Sequence, residues 1–185
     1  MGFHHVAFAS RDMAATHRFY TEACGFELVK AVAAPTDGPG GWAKHLFYDT
    51  APGDPSDDTM IAFWEIHDER MDGKDTAIST GLGFEVWVNH LAFAASSVED
   101  LEARRDRWLA NGHDAMQIDH GFCVSTYTVD PNGILVEFCV DTQPYTEEDK
   151  REALAILTSA NPHLETPPVP VFHLARDYQP APAPA

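Results

Sequence analysis

The chain is poor in cysteine, in basic residues and in long apolar runs, and each shortage narrows what it can be. Its 185 residues include three cysteines, Cys24, Cys123 and Cys139, an odd number without Cys-x-x-Cys spacing. That pattern points to reduced thiols and a cytoplasmic setting rather than to a disulfide frame. Lys and Arg total 12 against 29 Asp and Glu, for a formal charge of −17. Such a chain repels phosphate backbones, so no nucleic-acid partner is expected. The acidity itself reads as a solvated surface. No apolar run approaches the roughly 20 residues that cross a bilayer, so no membrane partner is expected either. The opening MGFHHVAFASRDM has no basic segment followed by an apolar one, so no signal peptide is expected. A Gly-rich phosphate loop, a Ser-His-Asp pattern and paired Cys-x-x-Cys motifs are also missing.

What the chain does contain is a repeat. FHHVAFAS at 3–10 is nearly written again as VNHLAFAA at 88–95. Each copy sets a histidine, His5 or His90, in front of a short apolar strand. A helical stripe follows each: Met13, His17, Phe19 and Tyr20 in the first, and Val98, Leu101, Arg105, Trp108 and Leu109 in the second. Gly25 and Gly112 stand where helices stop, and Ser96 or Ser97 is placed to cap the second helix. β-rich runs complete each copy. GWAKHLFYDT and DTMIAFWEI are joined by the turn-rich APGDPSD, and VSTYTVD and ILVEFCV by PNG. The unit is therefore β-α-β-β-β, written twice. The expected organisation is a first module at 1–67, a connector at 68–87, a second module at 88–141, and a C-terminal segment at 142–185. That last segment holds one helix, capped by Thr146 with Glu148 and Asp149 in its first turn, and then a Pro-rich tail expected to be extended or disordered.

A single such unit has an open sheet edge and too little core to stand alone. Two units paired give an α+β fold, a curved mixed sheet around a cleft. The HHVAF and NHLAF strand starts on a doubled βαβββ frame resemble the vicinal oxygen chelate superfamily, which includes glyoxalases, extradiol dioxygenases and bleomycin-resistance proteins. The resemblance covers about residues 3–141 and leaves the tail outside.

His5 and His90 hold the same place in the two copies, and imidazole suits first-row transition metals. Glu137 lies in DPNGILVEFC between Val136 and Phe138, where a carboxylate needs a partner to offset its desolvation. Two histidines and a carboxylate make the facial triad of non-haem Fe(II) sites, open to substrate and O₂. His5, His90 and Glu137 are thus the expected metal ligands, with Fe(II) as the metal and Mn(II), Zn(II) and Ni(II) as alternatives. His4 is set aside because His5 is the residue that aligns with His90.

The stretch HGFCVSTYTVDPNGILVE, from His120 to Glu137, is similar to the signature of ring-cleaving extradiol dioxygenases, and to one-domain members most closely. The resemblance implies that His120 and Tyr127 are catalytic and steady the oxygens of a metal-bound catecholate. It implies a dioxygenase acting on a small catechol-like aromatic or vicinal-oxygen substrate. The second-sphere histidine of that pattern is missing, since Asp58 and Thr59 stand in its place. His45 and His67 are the nearby histidines, in positions that do not match. A glyoxalase- or epimerase-type isomerase or lyase is the rival reading and would need Glu65 as a fourth ligand. Counting back from the hairpins sets Phe63, not Glu65, opposite Glu137. A bleomycin-type drug-binding protein is the non-enzymatic alternative. Trp42, Phe47, Phe63, Trp64, Trp87 and Phe93 read as core or cleft wall, and His17, His113 and His163 as surface. A homodimer is expected, because sheet edges and the C-terminal helix need cover.

Overall fold

The computed structural model of the chain describes residues 3–54 and 58–180. Part of the turn-rich 51–57 stretch and the last residues of the Pro-rich tail lie outside the described residues.

Both copies of the unit fold as strand, helix and three strands. In the N-terminal module β1 is His5–Ala9, α1 is Met13–Arg18, β2 is Glu27–Pro35, β3 is Trp42–Asp49 and β4 is Met60–His67. In the C-terminal module β5 is His90–Ala94, α2 is Val98–Ala110, β6 is Ala115–Asp119, β7 is Cys123–Val129 and β8 is Leu135–Asp141. Side chains at the helix starts satisfy free amides. Asp12 accepts from Ala15 N at 2.9 Å, and Ser97 accepts from Asp100 N at 3.2 Å. α1 runs on into a wider turn, Phe19–Ala23, that buries Phe19 and Tyr20. Gly25 then ends it at φ +83°, and a Cβ there would stand 2.5 Å from the Arg107 guanidinium of α2. The positive φ favours glycine there, and a Cβ would also push the Arg107 side chain aside.

The strands divide into two mixed sheets, one per module. Their orders are β1-β4-β3-β2 and β5-β8-β7-β6, the second extended by a further strand described below. In each, the first strand lies parallel to the last. The sheets share one core. Phe63 packs on Tyr20 with ring centres 4.7 Å apart, and Phe26 reaches across to Phe93 at 5.0 Å and Phe138 at 6.3 Å. Ile61, Phe63, Val136, Phe138 and Trp108 are all at most 2% exposed.

A buried polar knot also ties the modules together. Asp130 of the DPNG turn accepts from Asn132 N, Ile134 N and the Tyr20 hydroxyl. The Arg11 guanidinium donates to the Asn132 carbonyl at 2.9 Å, and the Asn132 side chain pairs with Thr16. Asp130 thus forms its own turn and ties it to Tyr20 in the wider turn that follows α1.

The tail is more ordered than its composition suggests. α3, Glu147–Thr158, has the expected Thr146–Asp149 capping box but buries no residue. Beyond it Val171–His173 forms β9, antiparallel to β6, and Ala175 N donates to Asp114 Oδ1 at 2.7 Å. A free strand edge gives this segment backbone partners that its sequence does not advertise. Two histidines expected at the surface are partly buried instead. His17 bonds the Tyr48 hydroxyl at 3.1 Å, and His113 sits edge-on to Phe19 at 5.0 Å. His163 is exposed as expected.

Candidate active site

Strand parity decides which side chains leave the core. In β1 the register pairs His5 with Met60 and Ala7 with Ala62, while Val6 and Phe8 pair with Ile61 and Phe63 on the core side. In β5 it pairs His90 with Leu135 and Ala92 with Glu137, while Phe93 pairs with Phe138. Each sheet therefore has an open face led by a histidine and two alanines: His5, Ala7 and Ala9 on one, His90, Ala92 and Ala94 on the other. All six are exposed.

On the C-terminal sheet the expected residues come together. His90 Nδ1 lies 2.9 Å from the Trp87 carbonyl, and its Nε2 lies 3.0 Å from Glu137 Oε2. A carbonyl only accepts, so Nδ1 donates to it and the Nε2–Glu137 contact is closed either by a second ring proton or by a cation held between the two groups. A histidine anchored through its far nitrogen, as here, is how metal ligands are oriented. Glu137 is only 6% exposed. Tyr127 stands directly opposite it on β7, and the Tyr127 hydroxyl is 3.1 Å from His120 Nε2. Burial first, and then the neighbouring Glu137 charge, push the Tyr127 phenol up to about 12, so it keeps its proton at neutral pH. Cys123, also on β7, is buried and its thiol is likewise raised to about 12, chiefly by burial. That makes it an inert thiol rather than an oxidation-prone one.

On the N-terminal sheet His5 Nδ1 is 2.8 Å from His4 Nδ1, which leaves Nε2 free. His4 is thus a neighbour that orients His5, a role that sequence alignment did not suggest. His45 and Phe47 of β3 share this open face, opposite Trp64 and Ala62. The His45 ring stacks on Trp64 at 3.8 Å and lies 6.0 Å from His5. Burial, then His5, hold its imidazole below the usual histidine range. Its Nε2 is enclosed and has no hydrogen-bond partner among the described residues. Leaving such a group unpaired costs about 1–3 kcal/mol.

Among the described residues no three His, Cys, Asp or Glu side chains converge on one point within the chain. His90 and Glu137 meet, while His5 stands on the other sheet. The reason is architectural: both sheets turn their second face to the one core, so their open faces do not meet. The donors suit a metal in kind and anchoring, two of them in one place and the third elsewhere.

Two positions read from the hairpins are revised by the register. The counterpart of Glu137 is Ala62, not Phe63, which is wholly buried and is the counterpart of Phe138. Glu65 is on the opposite parity from Ala62 and is engaged by Lys44 at 2.9 Å and His67 at 2.7 Å. It therefore does not share the open face with His5.

The sequence profile of the Glyoxalase/Bleomycin resistance protein/Dioxygenase superfamily matches residues 2–138. The chain belongs to this superfamily. Solved structures agree on the fold. A glyoxalase/bleomycin resistance protein/dioxygenase domain from Frankia sp. EAN1pec is 22% identical with a TM-score of 0.56, covering 76% of this chain and 98% of its own. The fosfomycin resistance protein FosX from Listeria monocytogenes is 18% identical with a TM-score of 0.51, covering 81% and 98%. An antibiotic-binding protein, TnmS3 from Streptomyces, is 16% identical with a TM-score of 0.50, covering 77% and 97%. At these identities the likeness speaks for the fold alone. No curated protein matches the chain. No helix among the described residues is long and apolar enough to cross a membrane. The superfamily profile ends at residue 138, so α3 and β9 lie beyond the matched residues.

Proposed function

We propose that this superfamily member is a metal-dependent enzyme using His5, His90 and Glu137, and that it cleaves a catechol-like aromatic in the extradiol manner with Fe(II). The observation that carries this reading is the His90–Glu137 contact at 3.0 Å, with Tyr127 and His120 aligned beside it. Ala62 in the fourth-ligand place argues for an open three-donor site over the four-ligand isomerase type.

A second copy of the chain supplies the third donor. In a twofold dimer the N-terminal sheet of each copy lies on the C-terminal sheet of the other, and two equivalent sites form. The exposed open faces support this arrangement, as does β2, which is exposed at all nine positions and is an uncovered edge.

His5, His90 and Glu137 would hold the Fe(II), which would supply the Lewis acidity and redox chemistry that joining O₂ to a catechol needs. Tyr127 keeps its proton and donates a hydrogen bond to a catechol oxygen. His120 fixes the direction of that hydroxyl. Trp87, through its carbonyl, and His4 hold the two imidazoles in their ligating orientation. The ring bond beside the diol breaks, both atoms of O₂ enter the product, and no outside reductant is consumed.

Complementation tests the shared site. His5→Ala and Glu137→Ala proteins should each bind no Fe(II) or Mn(II). Mixed, unfolded and refolded together, they should regain about a quarter of wild-type metal, because each mixed dimer has one intact site. No recovery, with stoichiometric metal in either single variant, overturns the ligand set. A catechol panel with Fe(II)-loaded protein tests the chemistry. Failure of every catechol removes the dioxygenase reading, and a wild-type protein that takes up no metal but binds cationic drugs makes it a binding protein.

A further inference from the structure

Beyond His120 and Tyr127 the C-terminal sheet ends against α3, and an apolar cleft lies between them. Asp141 of β8 pairs with Cys123 as Glu137 pairs with Tyr127, so the two carboxylates have the same parity. The Tyr145 hydroxyl donates to Asp141 Oδ1 at 3.2 Å, which sets the Tyr145 ring at the end of the open face. Phe122 connects it to the site. Its ring centre lies 6.1 Å from Tyr145 and 6.2 Å from His120, whose Nε2 meets the Tyr127 hydroxyl. The cleft holds about 260 Å³ and is lined by Phe122, Gln143, Pro144, Tyr145, Asp149 and Ala153. Its polar side chains already have partners. Gln143 Nε2 donates to the Gly121 carbonyl, and Asp149 closes the capping box with Thr146. What remains for a ligand is two aromatic rings, a proline and an alanine.

Phe122 is 50% exposed and Tyr145 62%, so ring surface is left uncovered in the cleft. Such a surface suits a flat apolar group. Its place relative to Glu137 says what brings that group there. Glu137 and Asp141 stand four residues apart on one strand, about 13 Å. A single ring leaves that gap unfilled, and two joined rings bridge it. We propose that the cleft is a subsite for a flat apolar substituent on the catechol, with Phe122 and Tyr145 as specificity-determining residues. The substrate class is then aryl-substituted catechols rather than catechol itself. Contact made by the substituent holds the diol end beside His120 and Tyr127, so remote binding supports the reacting geometry. The inference rests on the catechol reading for the reacting end.

The test uses metal-free, full-length protein and two probes that do not chelate, phenol and 2-hydroxybiphenyl, compared by calorimetry. Wild type should bind 2-hydroxybiphenyl about tenfold more tightly or better, the scale set by covering one added ring. Phe122→Ala and Tyr145→Ala should each lose most of that preference. Ala153→Trp, which fills the cleft from an exposed helix position, should abolish it. Leu157→Trp, on the same helix but outside the cleft lining, should leave it intact. With Fe(II)-loaded protein, 3-phenylcatechol should exceed catechol in kcat/KM by about tenfold, and Ala153→Trp should remove that advantage while catechol turnover is unchanged. Equal affinity of wild type for the two probes overturns the inference, as does a preference that survives Ala153→Trp. A loss of dimer in Ala153→Trp by sedimentation overturns it too, because the cleft then belongs to a second copy. If no catechol is turned over, the catechol reading falls, and the probe preference still decides the cleft.

Discussion

The two modules share a frame and differ in what they present on it. In both, the strand that begins with histidine lies parallel to the last strand of its unit, and its histidine and two alanines are exposed. Where the C-terminal sheet has Glu137, the N-terminal sheet has Ala62. Where the C-terminal sheet has Tyr127 with His120, the N-terminal sheet has Phe47, His45 and Trp64. One copy carries a carboxylate and a phenol with its proton held, the other an aromatic cluster with two histidines, His5 and His45. The edges differ too. β9 covers β6, whereas β2 is bare along its length, so the N-terminal module is the one that needs a partner.

The comparison breaks most sharply at the metal. His90→Ala and Glu137→Ala should each weaken Mn(II) or Fe(II) binding beyond detection by calorimetry, and so should His5→Ala. His4→Ala should cost only about tenfold, the usual scale for a group that orients a ligand. If Ala62→Glu, which makes the modules alike, raised affinity, a second donor would be reaching the site from the N-terminal sheet.

Next in size is the core, where the modules should behave alike. Phe63→Ala and Phe138→Ala remove wholly buried counterpart rings. Each should destabilise the chain by about 3–5 kcal/mol in denaturant titration, and the two should unfold it in one transition, since the sheets share a core. Two separate transitions would mean that the modules are independent.

Smaller still is the effect of one hydroxyl. Tyr127→Phe should keep metal and fold while slowing catechol turnover by about ten- to a hundredfold. An equal rate would reduce the His120–Glu137 stretch to a hairpin that resembles the signature.

The smallest effect is on pH dependence. Burial holds His113 below its usual range. The folded protein therefore binds fewer protons there than the unfolded chain, and stability should fall as pH drops below about 6.5. His113→Gln should flatten that part of the stability profile, and an unchanged slope would assign it to His45 or His173, whose imidazoles burial also holds below the usual range.

Much of this was legible without coordinates, because it rests on local pattern. The apolar alternation, the helix caps at Ser97 and Thr146, the glycines at 25 and 112 and the repeated histidine fix the βαβββ units and name His5, His90 and Glu137. Tyr127 and His120 follow from the same stretch and do meet. Sequence alone could not say which residue lies across from which. Parity is local, but register depends on the partner strand, so a one-residue slip in counting exchanged Ala62 for Phe63 and kept Glu65 in play. Nor could it say that the two histidine-bearing faces turn away from a common core. That follows from Phe26 reaching the opposite sheet, from Asn132 bonding Thr16 of α1 and from Asp130 bonding Tyr20 just beyond it, contacts that join residues about a hundred positions apart. The sequence determined the candidate donors and the frame that repeats them. Tertiary packing alone decided that His90 meets Glu137 while His5 stands apart, because a shared core is buried by facing both sheets inward and leaving both open faces outside.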